Sequence, residues 1–493
     1  MKYLDNDINT ILSTIKDMNG NSSDITDRKL KIGKSEIAYI FLESVSSDDK
    51  ISDFLVRTLT QNIKSQKMLS IKNIFEIIEN DLLNSKVKIV ETYEEVFFHM
   101  ASGFTCIFVE GNKKAIVVET KTKLDRGITE STTEAIVRGP KDSFTENHMV
   151  NIGLIRKRIK DPNLWIKDVV VGRRTKTKVS ITYIDDIAKK EEVNKIIQKI
   201  QKIDIDGILD SGYIRDFLND GKIDAFPEFI STERPDVVCG SLLEGKVVIL
   251  VENSPFTLVI PGTFLDFIHS PEDYYQKPIN TTFTRILRLM AFFLTMLTPA
   301  VYIAFTTINQ ELIPDNLLIS LSVQRQTVPF PTFIEVTLLL TAFEILRETD
   351  IRTPNLMGTA ISVVGALVLG EAAVNAGIIS PIVVIIVSIT SISGLTFSDI
   401  DFINAIRCWR LAFILIASIL GIFGVIVAAI LLIVKLVSTT SYDTPYLVPI
   451  SPFYGKEQED AIARLPRTDM TKRPVYLTKN RTRLVKKWKK YLY

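Results

Sequence analysis

Little in this sequence is spaced for covalent chemistry. His99, His148 and His269 stand alone, and each reads as a packed or surface residue. Cys106, Cys239 and Cys408 form no metal-like pair, and an odd number of cysteines closes no disulfide framework. Gly33-Lys34-Ser35 ends like a phosphate loop, but the glycine such a loop needs five positions earlier is Arg28. With no nucleophile elbow and no metal-spaced cluster, the sequence points away from an enzyme, a bound metal or a cofactor.

The residue that invites a function is Glu371. It is the only ionisable side chain between Met357 and Ser398. An acid inside an apolar span is expensive and marks a functional candidate. Asn375 lies one helical turn further on, and Leu367, Val364 and Ala360 continue that face. An apolar lining with a polar ring near one end suits a pore that gates by dewetting. Two other roles fit the same residue. Glu371 can snorkel to the interface beside a turn at Gly377, or pair with Arg407 or Arg410. A different face carries Gly358, Ser362, Ala366 and Gly370, a stripe of small residues on which another helix can pack. One copy has too few spans to enclose a pore, so a conducting form would be a homo-oligomer.

These residues need a membrane around them, and the composition supplies one. Charges nearly cancel over the 493 residues, at a formal +2, so their distribution is what informs. Residues 1–282 have soluble-protein composition, and 283–437 are mostly apolar. A span takes roughly 20 apolar residues. Four are expected, at 289–308, 357–376, 378–397 and 411–436. Residues 333–346 are apolar but short and carry Glu335 and Glu344, which suits an interfacial or re-entrant helix. Pro329, Pro331 and Pro354 bracket it as corners or hinges. Residues 438–493 hold 12 Lys and Arg against 5 Asp and Glu. Such a tail is expected to be cytoplasmic and to lie on anionic lipid rather than nucleic acid. Met357–Ala376 would then run inward, with Glu371 and Asn375 near the cytoplasmic mouth; the 398–410 loop, balanced by Asp399, Asp401, Arg407 and Arg410, decides little.

Before the membrane region, residues 1–27 read as a flexible tail around Asn19-Gly20-Asn21, with one short helix expected at its start. Residues 28–140 and 141–282 alternate strand and helix patterns and are expected to form two mixed α/β subdomains. No secretory leader is visible, so this half is expected in the cytoplasm. The fold class is therefore an α/β cytoplasmic region followed by an α-helical transmembrane domain.

Several blocks in this order resemble one family. They are Glu134-Ala-Ile-Val-Arg138-Gly139-Pro140, Phe144-Thr-Glu146, Asn151-Ile-Gly-Leu-Ile-Arg156-Lys-Arg158, Thr232-Glu233-Arg234-Pro235-Asp236, Pro329-Phe330-Pro331 and Arg352-Thr353-Pro354. Together they resemble the A subunit of GerA-type spore germination receptors, from about residue 28 to 470. Glu130-Ser131 departs from that family's frequent Glu-Pro. The resemblance implies a spore inner-membrane protein with both termini on the core side. It implies work with a transporter-like B subunit and a lipoprotein C subunit, nutrient sensing, and oligomerisation into a monovalent cation channel. A non-conducting scaffold and the family's sibling encoded with the SpoVA proteins have the same architecture; a secondary transporter fits less well, since no inverted pair of broken helices is visible. Arg138, Arg156, Arg158 and Arg234 are expected to make salt bridges rather than bind an anion.

Overall fold

The computed structural model describes residues 2–32, 35–52, 87–122, 134, 136–222, 224–352 and 370–483. The first subdomain is a five-stranded antiparallel sheet in the order β1 (Ile25–Ile32), β2 (Ser35–Leu42), β4 (Phe104–Val109), β5 (Ala115–Glu119), β3 (Val87–Val90). Side chains alternate across a strand. Ala38, Ile40 and Leu42 therefore face two helices, while Ile37, Tyr39 and Phe41 build a second cluster on the opposite face. Those helices are α1 (Ile8–Met18) and α2 (Tyr93–Met100).

Residues 1–27 are thus not a flexible tail. α1 starts where Asp7 accepts a hydrogen bond from the Thr10 N–H at 2.9 Å. Ile8, Ile11, Leu12 and Ile15, spaced for one helical face, are buried on the sheet. After it the chain turns at Gly20, whose φ of +58° brings the backbone flat against Trp165; a Cβ there would lie 2.1 Å from the ring. The short helix expected at the start of this segment is present, and it is packed on the sheet rather than loose.

The second subdomain repeats the plan, with strand order β6 (Leu164–Val171), β7 (Thr177–Ile184), β9 (Val247–Val251), β10 (Thr257–Ile260), β8 (Ile230–Thr232), again antiparallel. α4 (Lys190–Gln201) and α5 (Ser211–Leu218) cover one face; α3 (His148–Arg158) and α6 (Pro235–Glu244) cover the other. That double cover is why β9 is buried along its whole length. After α7 (Phe264–Ile268), the chain enters its apolar half.

Among the described residues, two helices are long and apolar enough to cross a membrane: α8 (Pro278–Thr307) and α12 (Ile400–Ser438). Between them lie α9 (Asp315–Arg325), α10 (Thr332–Arg352) and α11 (Pro381–Gly394). These helices do not confirm four spans, and most of the expected 357–376 span lies outside the described residues. Residues 333–346 belong to a 21-residue helix, α10, because both of its acids are neutralised inside the bundle. Glu344 meets Arg407 and Arg410 at 2.8 and 2.7 Å. Glu335 accepts from the Ser380 backbone N–H at 3.0 Å and from its hydroxyl at 2.8 Å. The expected 378–397 span is a helix of only 14 residues, begun by Ser380-Pro381.

The expected 411–436 span is not one straight crossing: it takes in the upper part of one leg, the apex and the other leg of a helical hairpin within α12. Gly421, at φ +62° and ψ −143°, breaks the helical backbone. A Cβ on Gly424 would lie 2.7 Å from the Ile416 carbonyl oxygen, whereas eight residues of continuous helix advance about 12 Å. Both ends of the hairpin return to the α/β region: Arg215 pairs with Asp401, and Lys435 with Asp224 at 2.8 Å. The apex abuts the end of α8, where Asn309 Oδ1 accepts the Ile422 N–H at 2.9 Å.

The C-terminal segment also departs from expectation. Up to Arg483 it packs on protein. Ser441 Oγ donates to the Glu228 carbonyl at 2.6 Å, Arg473 Nε to the Leu243 carbonyl at 2.7 Å, and Arg483 meets Glu244 at 2.7 Å. Arg464, Arg473 and Arg483 are held by carbonyls or a carboxylate of the preceding region, and Arg481 by Glu457 of the segment itself. Lys486, Lys487, Lys489 and Lys490 lie outside the described residues.

Two glycine substitutions should have opposite signs. Gly421→Ala must place a Cβ 2.2 Å from Asn309 Oδ1 in a left-handed conformation, a conformational cost alone of roughly 1–2 kcal/mol. Gly240, exposed within α6, has open space around it, so Gly240→Ala should stabilise by about 0.5–1 kcal/mol. Thermal unfolding of the full chain in detergent reads both; equal shifts of one sign would contradict the hairpin geometry.

Candidate functional site

The densest buried polar cluster forms a collar where the α/β region meets α8. Arg285 and Arg288 are three residues apart and so share a face of α8. Asp273 sits in the short turn Pro271–Tyr274, where Ser270 and Asp273 form a capping box. Its carboxylate accepts from Arg285 Nε at 3.0 Å and from Arg288 Nη1 and Nη2 at 2.9 Å each. Burial pushes the Asp273 carboxyl up, but the bonds and charges of Arg288 and Arg285 outweigh it and hold it below the usual range. Arg285, 1% exposed, also reaches Asp460 Oδ1 and the Ala461 carbonyl, both at 3.0 Å. Tyr274 donates to Asp460 and lies under the guanidinium groups of Arg285, Arg464 and Arg467. His269 contacts the Ala461 carbonyl through Nε2 at 2.8 Å. Burial, and then the Arg285 charge, push its pKa down to about 4.

Beside this ionic ring lies an aromatic one. Phe402, at the foot of the hairpin, has Phe267, Phe264 and Phe292 at 5.4, 5.8 and 6.0 Å between ring centroids. Tyr446, just after the hairpin, packs on Phe226, Phe264 and Phe267. A displacement of either hairpin leg must therefore move α7, α8 or the C-terminal segment.

The cytoplasmic motif residues fall into separate ion pairs. Arg156 crosses between the subdomains to Asp24 at 2.9 Å, with both side chains fully buried, and adds Ser22 and the Leu164 carbonyl. Arg158 meets Asp142 at 2.6 Å. Arg234, 1% exposed, holds Asp236 and the Pro140 carbonyl at 2.8 Å each. Glu134 accepts from the Thr232 hydroxyl at 2.6 Å, and burial pushes its carboxyl up to about 7. Gly139, at φ +136°, leaves no room for a Cβ against Tyr275. The Arg138 side chain is exposed, while its N–H reaches Glu272 at 3.3 Å.

The expected pore face is described only in part. Glu371 and Asn375 are exposed on a short helical stretch that ends at the Gly377 turn, where a Cβ would lie 3.4 Å from the Thr327 carbonyl. Ser380, just beyond, caps against Glu335 in the first turn of α10, and Thr332 there meets Thr306 near the end of α8 at 3.4 Å. Glu371 and Asn375 are therefore at the end of the bundle far from the α/β region, not at its near mouth. The reason is the length of α10, which carries the chain back once more than four spans allow. Arg407 and Arg410 take Glu344 as partner. Gly370 is buried, and a Cβ on it would lie 3.5 Å from Val384 of α11, a neighbour within one chain. Leu367, Val364, Ala360, Gly358, Ser362, Ala366 and Pro354 lie outside the described residues. Pro329 and Pro331 are exposed, and the Pro331 carbonyl opens α10 by accepting from Ile334 and Glu335.

Sequence reasoning did not find Asp24, Asp273 or Asp460. Only the Arg285–Arg288 spacing beside an apolar helix hinted that acids must answer them. It also did not find the buried group of Glu335 Oε1, Arg325 Nε and Tyr302 Oη, none of which has a hydrogen-bond partner.

Comparison with known proteins matches this architecture to one family. The model of the Bacillus/Clostridium GerA spore germination protein family matches residues 13–476. Spore germination protein KA of Bacillus subtilis is 38% identical over 93% of this chain and 85% of its own length. Stage V sporulation protein AF of the same organism is 31% identical over 94% of this chain and 93% of its own. The crystal structure of the N-terminal domain of the A subunit of the Bacillus megaterium spore germinant receptor GerK3 is 33% identical, covering 53% of this chain and 98% of that one at a TM-score of 0.43. On the extent of the family match, this chain belongs to the GerA family of Bacillus/Clostridium spore germination proteins.

Proposed function

We propose that this chain is the membrane subunit of a spore germinant receptor. It triggers germination by oligomerising into a nutrient-gated monovalent cation channel, and has no enzymatic role. The observation that carries the reading is the collar. The α/β region, the foot of α8 and both feet of the hairpin share one buried network, so a displacement of the soluble half is passed to the apolar helices. Outside that network the helices present apolar side chains outward, as Phe293, Leu415, Ile419 and Phe423 do, which suits lipid or a second copy. The chain sits in the spore inner membrane with its α/β region on the core side. A transporter-like B subunit and a lipoprotein C subunit complete the receptor. Glu371 and Asn375 then form a polar ring at the outer mouth, where cations would leave or enter a pore lined further in by Leu367, Val364 and Ala360. A second reading is a non-conducting scaffold, or an amplifier of the kind its likeness to stage V sporulation protein AF suggests; the extent of the α/β region, more than a simple channel needs, favours it.

The flux test separates these readings. Full chain with its partner subunits in liposomes should pass cations on nutrient addition. Glu371→Ala and Ala366→Phe should each reduce that flux; if both leave it unchanged, this helix does not line a pore, and no flux in any assembly favours the scaffold.

Sidedness follows from the hairpin. Cys106 and Cys239 are buried. In a Cys408→Ser background, Ser398→Cys should react with an impermeant thiol reagent only from the side of the α/β region, while Asn309→Cys reacts only from the opposite side. Labelling of both from one side would refute this arrangement.

The collar predicts a pH dependence. An ordinary histidine titrates near 6.5, and folded His269 near 4. Between those values the unfolded chain holds a proton that the folded chain does not. Stability should therefore fall as pH drops through that window. His269→Gln, which keeps a donor for the Ala461 carbonyl, should flatten the fall in a thermal-unfolding series from pH 7 to 4.5; an unaltered slope would remove His269 as its source.

A further inference from the structure

Three guanidinium groups share one carboxylate inside the apolar bundle. Glu344 of α10 pairs with Arg407 at 2.8 Å and with Arg410 at 2.7 Å, both on the first leg of the α12 hairpin. Arg347 lies three residues after Glu344 and so shares that face of α10. It stands within electrostatic reach of Glu344, Arg407 and Arg410. Among the described residues, Glu344 is the only carboxylate paired with these arginines, and it pairs with two of them. Arg410 is 4% exposed, and among the described residues only its Nη2 is satisfied, by Glu344. The buried Nε atoms of Arg407 and Arg410 have no hydrogen-bond partner. Arg407 adds one bond, from Nη1 to the Asn404 side chain at 3.0 Å. Glu348, one turn beyond Glu344, has a partner of its own. The cluster therefore carries two more positive charges than it neutralises.

The cluster is also deep. Thr332, which meets Thr306 near the far end of α8, is about 18 Å from Glu344 along α10. The apex at Gly421 is about 16 Å from Arg410 along α12. The apolar run of α8 from Arg288 to Ile308 is about 30 Å long, so the cluster stands near its middle. Uncompensated charge at that depth is not left against hydrocarbon. Towards the far end, the exposed side chains of α10 and the first leg of α12 are apolar, as Leu338 and Leu415 are. Towards the α/β region, Glu348, Thr349 and Asn404 are exposed, with Ile345 and Ile400 the apolar exceptions. The face is thus closed by apolar groups at one end and open to polar surroundings at the other.

We infer that Arg347, Arg407 and Arg410 hold a free, doubly charged oxyanion of the phosphate type, in a water-filled recess between α10 and the first leg of α12 that is entered from the α/β side. A dianion matches the two charges left over. Guanidinium forks suit tetrahedral oxyanions, because parallel N–H donors meet two oxygens at once. Glu344 acts as the organiser: by taking one Nη2 from each of Arg407 and Arg410 it fixes both groups before any anion arrives. Arg347 supplies a whole fork. A phospholipid headgroup offers the same phosphate chemistry, but a diester carries one charge and lies at the interface, not at mid-depth. If the chain conducts cations as proposed above, a resident dianion also cancels a positive barrier on their side of the bundle. That consequence rests on the channel reading, and the site itself does not.

The test has two arms, both on the full chain. In the first, radiolabelled inorganic phosphate is titrated into the protein in phosphatidylcholine nanodiscs. Binding should saturate, and Arg347→Gln should weaken it by about 10-fold or more. Arg347→Lys should retain part of it. Neither change breaks an ion pair seen among the described residues, so the fold should survive both. Lys121→Gln and Lys176→Gln, on the α/β region, should leave binding unchanged. Nanodiscs of phosphatidylglycerol should not displace the phosphate. In the second arm, Thr341→Cys in a Cys408→Ser background should react with an impermeant thiol reagent from the side of the α/β region, whereas Leu338→Cys should not. Four results would each overturn the inference: no saturable phosphate binding, equal loss in the two lysine controls, displacement by phosphatidylglycerol, or a Thr341→Cys that stays unreactive because lipid or a second copy covers it. Neither arm measures flux, so failure here leaves the channel reading standing, and a chain that conducts nothing can still bind phosphate.

Discussion

The fold depends on a charge that has been taken out of water. Arg285 is buried at the foot of α8 and cannot shed its proton. Its cost is met only if Asp273, Asp460 and the carbonyls of Asp460 and Ala461 are all in place. Those partners come from segments nearly 190 residues apart in sequence, so the ionic ring can form only when the α/β region, the first apolar helix and the C-terminal segment have met. Removing one partner from such a network costs roughly 3–5 kcal/mol, because it strands a buried charge. The network is thus better understood as fixing one arrangement than as adding net stability. The aromatic ring around Phe402 supplies the apolar burial that the ions do not.

A second buried pair, Arg156 with Asp24, does for the two subdomains what Arg285 does for the membrane boundary. Both side chains are fully excluded from solvent. The N-terminal segment is therefore part of the interface and cannot be treated as an appendage. Gly20 extends the same contact through its close approach to Trp165. Two ionic joints in series, one between subdomains and one at the collar, give a route by which a change in the first sheet could reach the apolar helices.

The α/β class was legible because strands and helices with strong alternation leave local signals. Ala38, Ile40 and Leu42, alternating with Ile37, Tyr39 and Phe41 along β2, are one case. That Arg156, Arg158 and Arg234 make salt bridges was also legible, though the distant partner of Arg156 was not. What was not legible depended on distant partners. Glu335 and Glu344 looked like interruptions of a short apolar run, because Ser380, Arg407 and Arg410 are brought to them only by the tertiary fold. Gly421 looked like any small residue in an apolar stretch, because a reversal needs Asn309 to receive the freed Ile422 N–H. The basic C-terminal segment looked destined for lipid, because charge counting does not see carbonyl acceptors. Glu371 and Asn375 were expected near the cytoplasmic mouth, whereas the Gly377 turn beside Thr327 puts them at the far end of the bundle.

The C-terminal segment carries a consequence for biosynthesis. Thr478 bonds the Ile187 carbonyl, Arg473 the Leu243 carbonyl and Arg483 the Glu244 carboxylate, contacts that span 291, 230 and 239 residues. A ribosome makes the second subdomain first, then every apolar helix, and only afterwards the segment that closes over that subdomain. The α/β region must therefore wait, with this surface uncovered, until the helices have been inserted and the last residues emerge. Loop closure over such separations is slow. Completion of the soluble half is thus timed by membrane insertion, and a chain stalled in insertion would keep an open, chaperone-accessible surface.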